Sequence, residues 1–289
     1  MLKLINKENI VRNYFFIKSF LIIFSSTSCK SDLNENKTNL FNQKNQANWT
    51  QSIQKDDRIE SLQTNIKDKR QEKVPTKETQ ILVDSLKTQI QNVTALIEKD
   101  KENIQKNEPA DQFGMKNGAF KMITGNPSTK AYNNPDSQCN RRQFYSSINY
   151  DEEKIRQLGM ILNQITADTT NRGQLHIDIT NAGRAYSQFL FERVIDKTKE
   201  VQEKLNLLPL KDLKKITIKI DAIIKLKLLW QNTVDNIIND YNNDTNGIKT
   251  DSQKLIEHIK EKYGKILKQK IPRIGIIASE INKILKTLK

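Results

Sequence analysis

Apolar residues recur at steps of three and four through nearly all of this chain from residue 77 to its end, and that spacing fixes the fold class. Such steps stack side chains on one stripe of a helix, where a strand would need strict alternation. Over residues 77–107 the stripe is Val83, Leu86, Ile90, Val93 and Ile97, a heptad seam with Gln, Lys and Asp between. A helix of 31 residues spans about 46 Å. It fits either a stalk or a helix docked on a main body. With 9 glycines and 6 prolines among 289 residues, the composition favours helix and argues against a barrel or sandwich. The fold class is all-α: a bundle of about five helices, preceded by a polar tether and a separate amphipathic helix.

The bundle is expected over residues 139–289. Asn149 is a candidate cap for its first helix, with Asp151, Glu152 and Glu153 in the first turn, where the helix dipole favours negative charge. Ile155, Leu158, Ile161, Leu162 and Ile165 form that helix's core face. A second helix fits residues 172–206, with Ile179, Ala182, Tyr186, Phe189, Leu190, Val194, Val201 and Leu205 inward. Leu208-Pro209 ends it. Residues 210–241 begin with a strand-like alternation, Ile216-Thr217-Ile218-Lys219-Ile220. The segment is too long for a strand and continues at helical spacing through Trp230, Val234 and Tyr241. Apolar residues on more than one face put this helix at the centre. Asn242 to Gly247 is turn chemistry. Helices over about 250–270 and 272–288 follow, with Pro272 at or near the start of the second. There Ile274, Ile277, Ile281, Ile284 and Leu288 form a seam that can pack at home or meet a second subunit. Residues 108–138, crowded with Pro109, Gly114, Gly118, Gly125, Pro127 and Pro135, read as an irregular linker. Phe113, Phe120, Met122 and Tyr132 are its candidate pins to a neighbour.

The N-terminus carries a compartment signal. Lys3, Lys7, Arg12 and Lys18 precede the apolar run Phe20-Leu21-Ile22-Ile23-Phe24, followed by Ser25-Ser26-Thr27-Ser28 and Cys29. A basic start, a short apolar middle and small residues before a cysteine mark a secretion signal over 1–28 with lipidation at Cys29. The run is too short to span a bilayer as a helix. Acyl chains on the thiol would hold the chain to a membrane, at about 0.8 kcal/mol per buried methylene. Residues 29–76 are rich in Asn, Gln and Lys and read as a flexible tether spanning about 40 Å as a coil. With Cys29 acylated, Cys139 stands alone and no disulfide framework is possible.

Of the chain's net charge of +14, Lys3, Lys7, Arg12 and Lys18 against Glu8 carry +3, leaving +11 beyond the signal. A basic surface attracts anionic partners. Lysines and glutamates are nonetheless spread along helix faces, and nucleic acid would sit in the wrong compartment, so no nucleic-acid role is expected. The chain holds no Walker or GxGxxG motif, and its histidines, His176 and His258, are far apart. No enzyme, cofactor or metal is expected. Asn242, Asp244, Asn246 and Gly247 follow part of a calcium-loop pattern, but Gln253 stands at its twelfth place and cannot supply a bidentate carboxylate. At the C-terminus Lys289 offers an ammonium and a free carboxylate beside Lys283 and Lys286, the zwitterionic end that kringle modules of plasminogen recognise.

The run Arg141-Arg142-Gln143-Phe144-Tyr145-Ser146-Ser147-Ile148-Asn149-Tyr150-Asp151-Glu152-Glu153-Lys154-Ile155 and the later Gln188-Phe189-Leu190-Phe191-Glu192-Arg193-Val194-Ile195 give the chain a resemblance. Over about 140–289, with Cys29 and the tether, it resembles the Borrelia paralogous lipoprotein family 54. That family includes the complement regulator-acquiring surface protein that binds factor H. The resemblance implies a helical bundle lipid-anchored on the cell outer membrane and exposed to the host. It also implies host serum proteins as partners: complement factor H, terminal complement components or plasminogen. Some members have no assigned ligand, and a structural lipoprotein without one is the alternative. In the factor H binder the terminal helix helps pair two subunits; here Pro272 interrupts the approach to that helix. Phe144, Tyr145 and Ile148 are expected to bury beneath the first bundle helix.

Overall fold

The structure is a computed structural model that describes residues 76–124 and 130–288. The expected signal, Cys29, the tether up to residue 75 and Lys289 lie outside the described residues. All described residues belong to the unit Trp49–Lys289. Among them the secondary structure is helical, apart from one isolated bridge between Thr124 and Ala131.

Helix α1 spans Lys77–Asn107, and the Thr76 hydroxyl caps it by accepting from the Thr79 N–H at 3.2 Å. Val83, Leu86, Ile90, Ile97 and Ile104 are buried. At steps of three, four and seven they form one stripe, and that stripe lies on later helices. Of the two arrangements the sequence allows, α1 is docked. A separate helix would leave five aliphatic side chains in water, each worth about 1.5–3 kcal/mol when buried.

The segment after α1 is irregular in backbone but is no linker. Gln112, Phe113 and Gly114 turn in the left-handed region at φ 52°, 55° and 83°, and Phe113, Met115, Phe120, Ile123 and Tyr132 are buried. A short helix α2, Ala119–Met122, carries Phe120 into a cluster of rings with Tyr132, Phe144 and Tyr145. Phe113 meets Tyr145 edge-on at 5.0 Å. Asn163 staples the segment, accepting from the Ala119 N–H at 2.8 Å and donating to the Gly114 carbonyl at 3.0 Å. Of the expected pins, Met122 alone points outward and is 43% exposed.

Helix α3, Gln138–Ser146, buries Phe144 and Tyr145, and Ile148 follows them into the core. Helix α4, Glu152–Ala167, is capped by Asp151, whose carboxylate accepts from the Lys154 N–H at 3.1 Å. Asn149 is not the cap; it sits in the left-handed region at φ 61°, two residues early.

One rod then runs as α5, Leu175–Thr180, a π-helical segment Asn181–Leu190, and α6, Phe191–Glu200. The wider π turn shifts the register. Arg184, Ser187 and Gln188 are buried in consequence, while Tyr186, Phe189 and Leu190, expected inward, are half-buried. After a 3₁₀ turn, Gln202–Leu207, helix α7 covers Leu210–Asn242. It packs on α1, α4, the π segment and the last helix, which makes it the bundle's axis. Its Trp230 is fully buried and donates to the Ser147 hydroxyl at 3.0 Å.

Helix α8, Ser252–Lys265, is capped by Asp251 and passes through a π turn, Ile266–Lys270, where the Ile271 N–H reaches back five residues to the Ile266 carbonyl. Pro272 cannot donate and marks the junction. Helix α9, Arg273–Leu285, and a 3₁₀ turn, Lys286–Leu288, complete the chain. The start of α1, the start of α7 and the end of α9 share one pole: Glu78 pairs with Lys214 at 2.6 Å, Lys87 pairs with Glu203 at 2.8 Å, and the 3₁₀ turns 202–207 and 286–288 touch.

Candidate functional site, a lysine-lined cleft

The sequence candidates divide. Lys283 and Lys286 are exposed on the last turns of the chain; Lys289 and Cys29 lie outside the described residues. The apolar seam is not open to a second copy. Ile274, Ile281 and Leu288 are buried and Ile277 and Ile284 pack against the same core, on the side of α9 that meets α7 and α6. A dimer through these five residues would have to lift α9 off the bundle. Cys139 carries a half-buried thiol. In the loop with the partial calcium pattern, the Asp244 carboxylate accepts from the Lys249 N–H at 2.8 Å and closes the turn.

Neither histidine sits in a cleft with a nucleophile. His258 meets Asp240 at 2.8 Å, and the same carboxylate takes Lys262 at 2.7 Å and the Tyr263 hydroxyl at 2.5 Å. Partial burial works to raise the Asp240 carboxyl, but these three donors outweigh it and hold it down at about 2. The knot ties α7 to α8. His176 is buried with its Nδ1 unpartnered, and burial, with Arg172 nearby, lowers its imidazole.

The densest charged cluster is internal and was not legible beforehand. Arg142 grips Glu192 through two hydrogen bonds of 2.7 Å, and Gln188 donates to the same carboxylate at 2.7 Å. Lys227 bonds the Gln188 side-chain oxygen and lies 5.4 Å from the Phe191 ring centre. Burial pushes Lys227 down to about 8 against the pull of Glu192 and Asp100. Burial alone would raise Glu192, yet Arg142 overrides it and the carboxyl lies below its ordinary value. Both terminal Arg142 nitrogens and the Lys227 ammonium face protein acceptors, so the geometry is that of a clamp between α3, the π segment, α6 and α7.

Among the described residues, a surface cleft lies where α5 meets the end of α8. It has a volume of about 420 Å³ and is lined by Leu175, Lys260, Gly264, Lys265, Lys268 and Gln269. Lys260, Gly264 and Lys268 stand at four-residue steps and so share one face of the helix. Lys260 is steadied by the Asn171 carbonyl at 2.9 Å and Lys268 by Asp178 at 3.3 Å. The sequence held one trace of this site, a glycine inside a helical run with lysines on both sides. What the sequence did not show is that α5 lies against this face, bringing in Leu175 from some ninety residues earlier.

Comparison with known proteins places the fold in context. The family model described as Borrelia Bbcrasp-1 domain containing protein matches residues 102–286. This chain belongs to that family. The Bbcrasp-1 match takes in the clamp's α3, π-segment, α6 and α7 residues and the cleft, and leaves most of α1 ahead of it. No curated protein matches the chain. Among solved structures, Borrelia spielmanii BSA64 is 25% identical with a TM-score of 0.65, covering 74% of this chain and 97% of that one. The outer surface lipoprotein BBA64 of Borrelia burgdorferi is 26% identical with a TM-score of 0.64, over 73% of this chain and 97% of its own. The Lyme disease associated outer surface protein BBA65 of Borrelia burgdorferi, at 24% identity and a TM-score of 0.63 over 70% and 99%, adds to the fold alone.

Proposed function

We propose that this Bbcrasp-1 family protein is lipid-anchored through Cys29 on the outer surface and captures host serum proteins, with complement proteins as first candidates. Membership of a family whose relatives include an outer surface lipoprotein carries this reading. The N-terminal pattern ending at Cys29 agrees with it. The mechanism is adhesion: charged side chains inside the bundle hold helices together, and lysines on its outside remain for an acidic partner. Factor H and terminal complement components follow from the family resemblance. A pulldown from serum with the unlipidated chain, at low and high salt, tests the reading. Retention of a complement protein that weakens with salt is expected; a serum in which nothing is retained at either salt would remove it.

A second reading, capture of plasminogen, is favoured by one observation. Lys283 and Lys286 are both exposed at the end of the chain. A free lysine analogue should then displace plasminogen, and deletion of Lys289 should weaken it. Binding that ignores both treatments counts against the lysine end.

A further inference from the structure

Gly264 has no conformational reason to be glycine. Inside a helix glycine costs about 1 kcal/mol relative to alanine. Such a residue is commonly held by left-handed backbone or by a close approach of another group. Gly264 has ordinary helical backbone, and a Cβ placed on it would meet nothing within 4 Å. What the missing side chain leaves is open space, and that space is the cleft lined by Leu175, Lys260, Lys265, Lys268 and Gln269.

We propose that this cleft binds a tetrahedral oxyanion, sulfate or phosphate, carried on a sugar-sized group that rests over Gly264. The cations lining it are all lysine. An ammonium is a compact point charge with three donors and binds a phosphate or sulfate oxygen without demanding a planar partner. Lys260 and Lys268 are placed in advance by Asn171 and Asp178, which lowers the entropy lost on binding. Residues 254–273 as a whole hold seven Lys and Arg against two Glu; Asp240 and Asp178 pair Lys262 and Lys268, and the remaining excess of positive charge draws anions in. About 420 Å³ lies near the lower end of small-ligand pockets, roughly 300–1,000 Å³. The site is independent of the capture reading, and either can fail without the other.

Calorimetric titration of the full unlipidated chain tests it, with four probes: a sulfated disaccharide, the same disaccharide desulfated, a sugar phosphate, and an acidic peptide. Gly264→Leu fills the cleft and leaves every charge in place. Lys265→Gln with Lys268→Gln removes charge from the cleft, and Lys99→Gln with Lys211→Gln, exposed on α1 and α7, removes the same charge elsewhere. Binding of the sulfated or phosphorylated sugar is expected, the two arms naming the source of the anion. A loss of about tenfold or more is expected in both cleft variants, with the remote variant unchanged. The proposal is overturned by equal binding of the desulfated sugar, by tighter binding of the acidic peptide, or by no binding of either anionic sugar. Undiminished binding in both cleft variants, or an equal loss in the remote one, also overturns it. Should Gly264→Leu fail to fold by circular dichroism, the paired lysine variant decides alone.

Discussion

Two helical glycines, one buried and one at the surface cleft, make opposite demands. A Cβ on Gly183 would lie 2.7 Å from the Trp230 ring and 2.8 Å from the Ser147 hydroxyl. Gly183→Ala should therefore destabilise by roughly 1–3 kcal/mol, despite alanine's better helix propensity. Gly264→Ala meets nothing and should stabilise by about 1 kcal/mol; urea unfolding of both variants checks the pair. Lys227 gives a signed pH dependence. Folded, it sheds its proton near 8; unfolded, it holds it to about 10.4. Between those values the unfolded chain binds more protons, so this group makes stability rise with pH. Above about 10 the buried tyrosines, with hydroxyls raised by burial, oppose it. Melting temperatures between about pH 7.5 and 9.5 should climb more steeply in the wild type than in Lys227→Met, and equal slopes would refute the assignment. Burial of Phe144, Tyr145 and Ile148 was readable from their apolar character. The Arg142–Glu192 grip was not, because the partners lie fifty residues apart and charges at helical spacing read as surface.

Helix α1 is held at both ends and along its length. At its C-terminal end Glu108 takes Arg141 through two hydrogen bonds of 2.6 and 2.9 Å, both side chains nearly buried. Arg141→Leu leaves that carboxylate buried without its partner and should cost about 3–5 kcal/mol. Leu86→Ala and Ile90→Ala, in the middle, should each cost about 2–5 kcal/mol. Chemical denaturation should show one cooperative transition shifted in all three variants, and an early separate loss of α1 would contradict its integration in the core. The helices themselves were legible because their signal is local: a stripe every three or four residues predicts a rod wherever it lies. Docking of α1 was not, since a heptad seam fits a stalk and a bundle equally. Residues 108–124 show the same limit. Their glycines and Pro109 announce irregular backbone, while Asn163, which fastens them to α4, lies some forty residues later.

Across the molecule the apolar stripes close on one another. The α9 seam faces α7 and α6, so light scattering at micromolar concentration should report the mass of one chain. Ile281→Asp should lower the melting temperature rather than dissociate a dimer. A dimer that the Asp variant splits into folded monomers would refute this. The sequence favoured such closure without deciding it, because the same heptad serves a neighbour in the chain or in another copy. The surface was less legible than the interior pattern, since the lysine cleft depends on α5 meeting α8, which lie far apart in the chain. The shared pole of α1, α7 and α9 has a mechanical corollary. A pull on Thr76 directed along the axis of α1 would slide the helix lengthwise against the bundle. Its side-chain contacts must then yield together, as in a lap joint under shear, and cannot be unzipped one at a time.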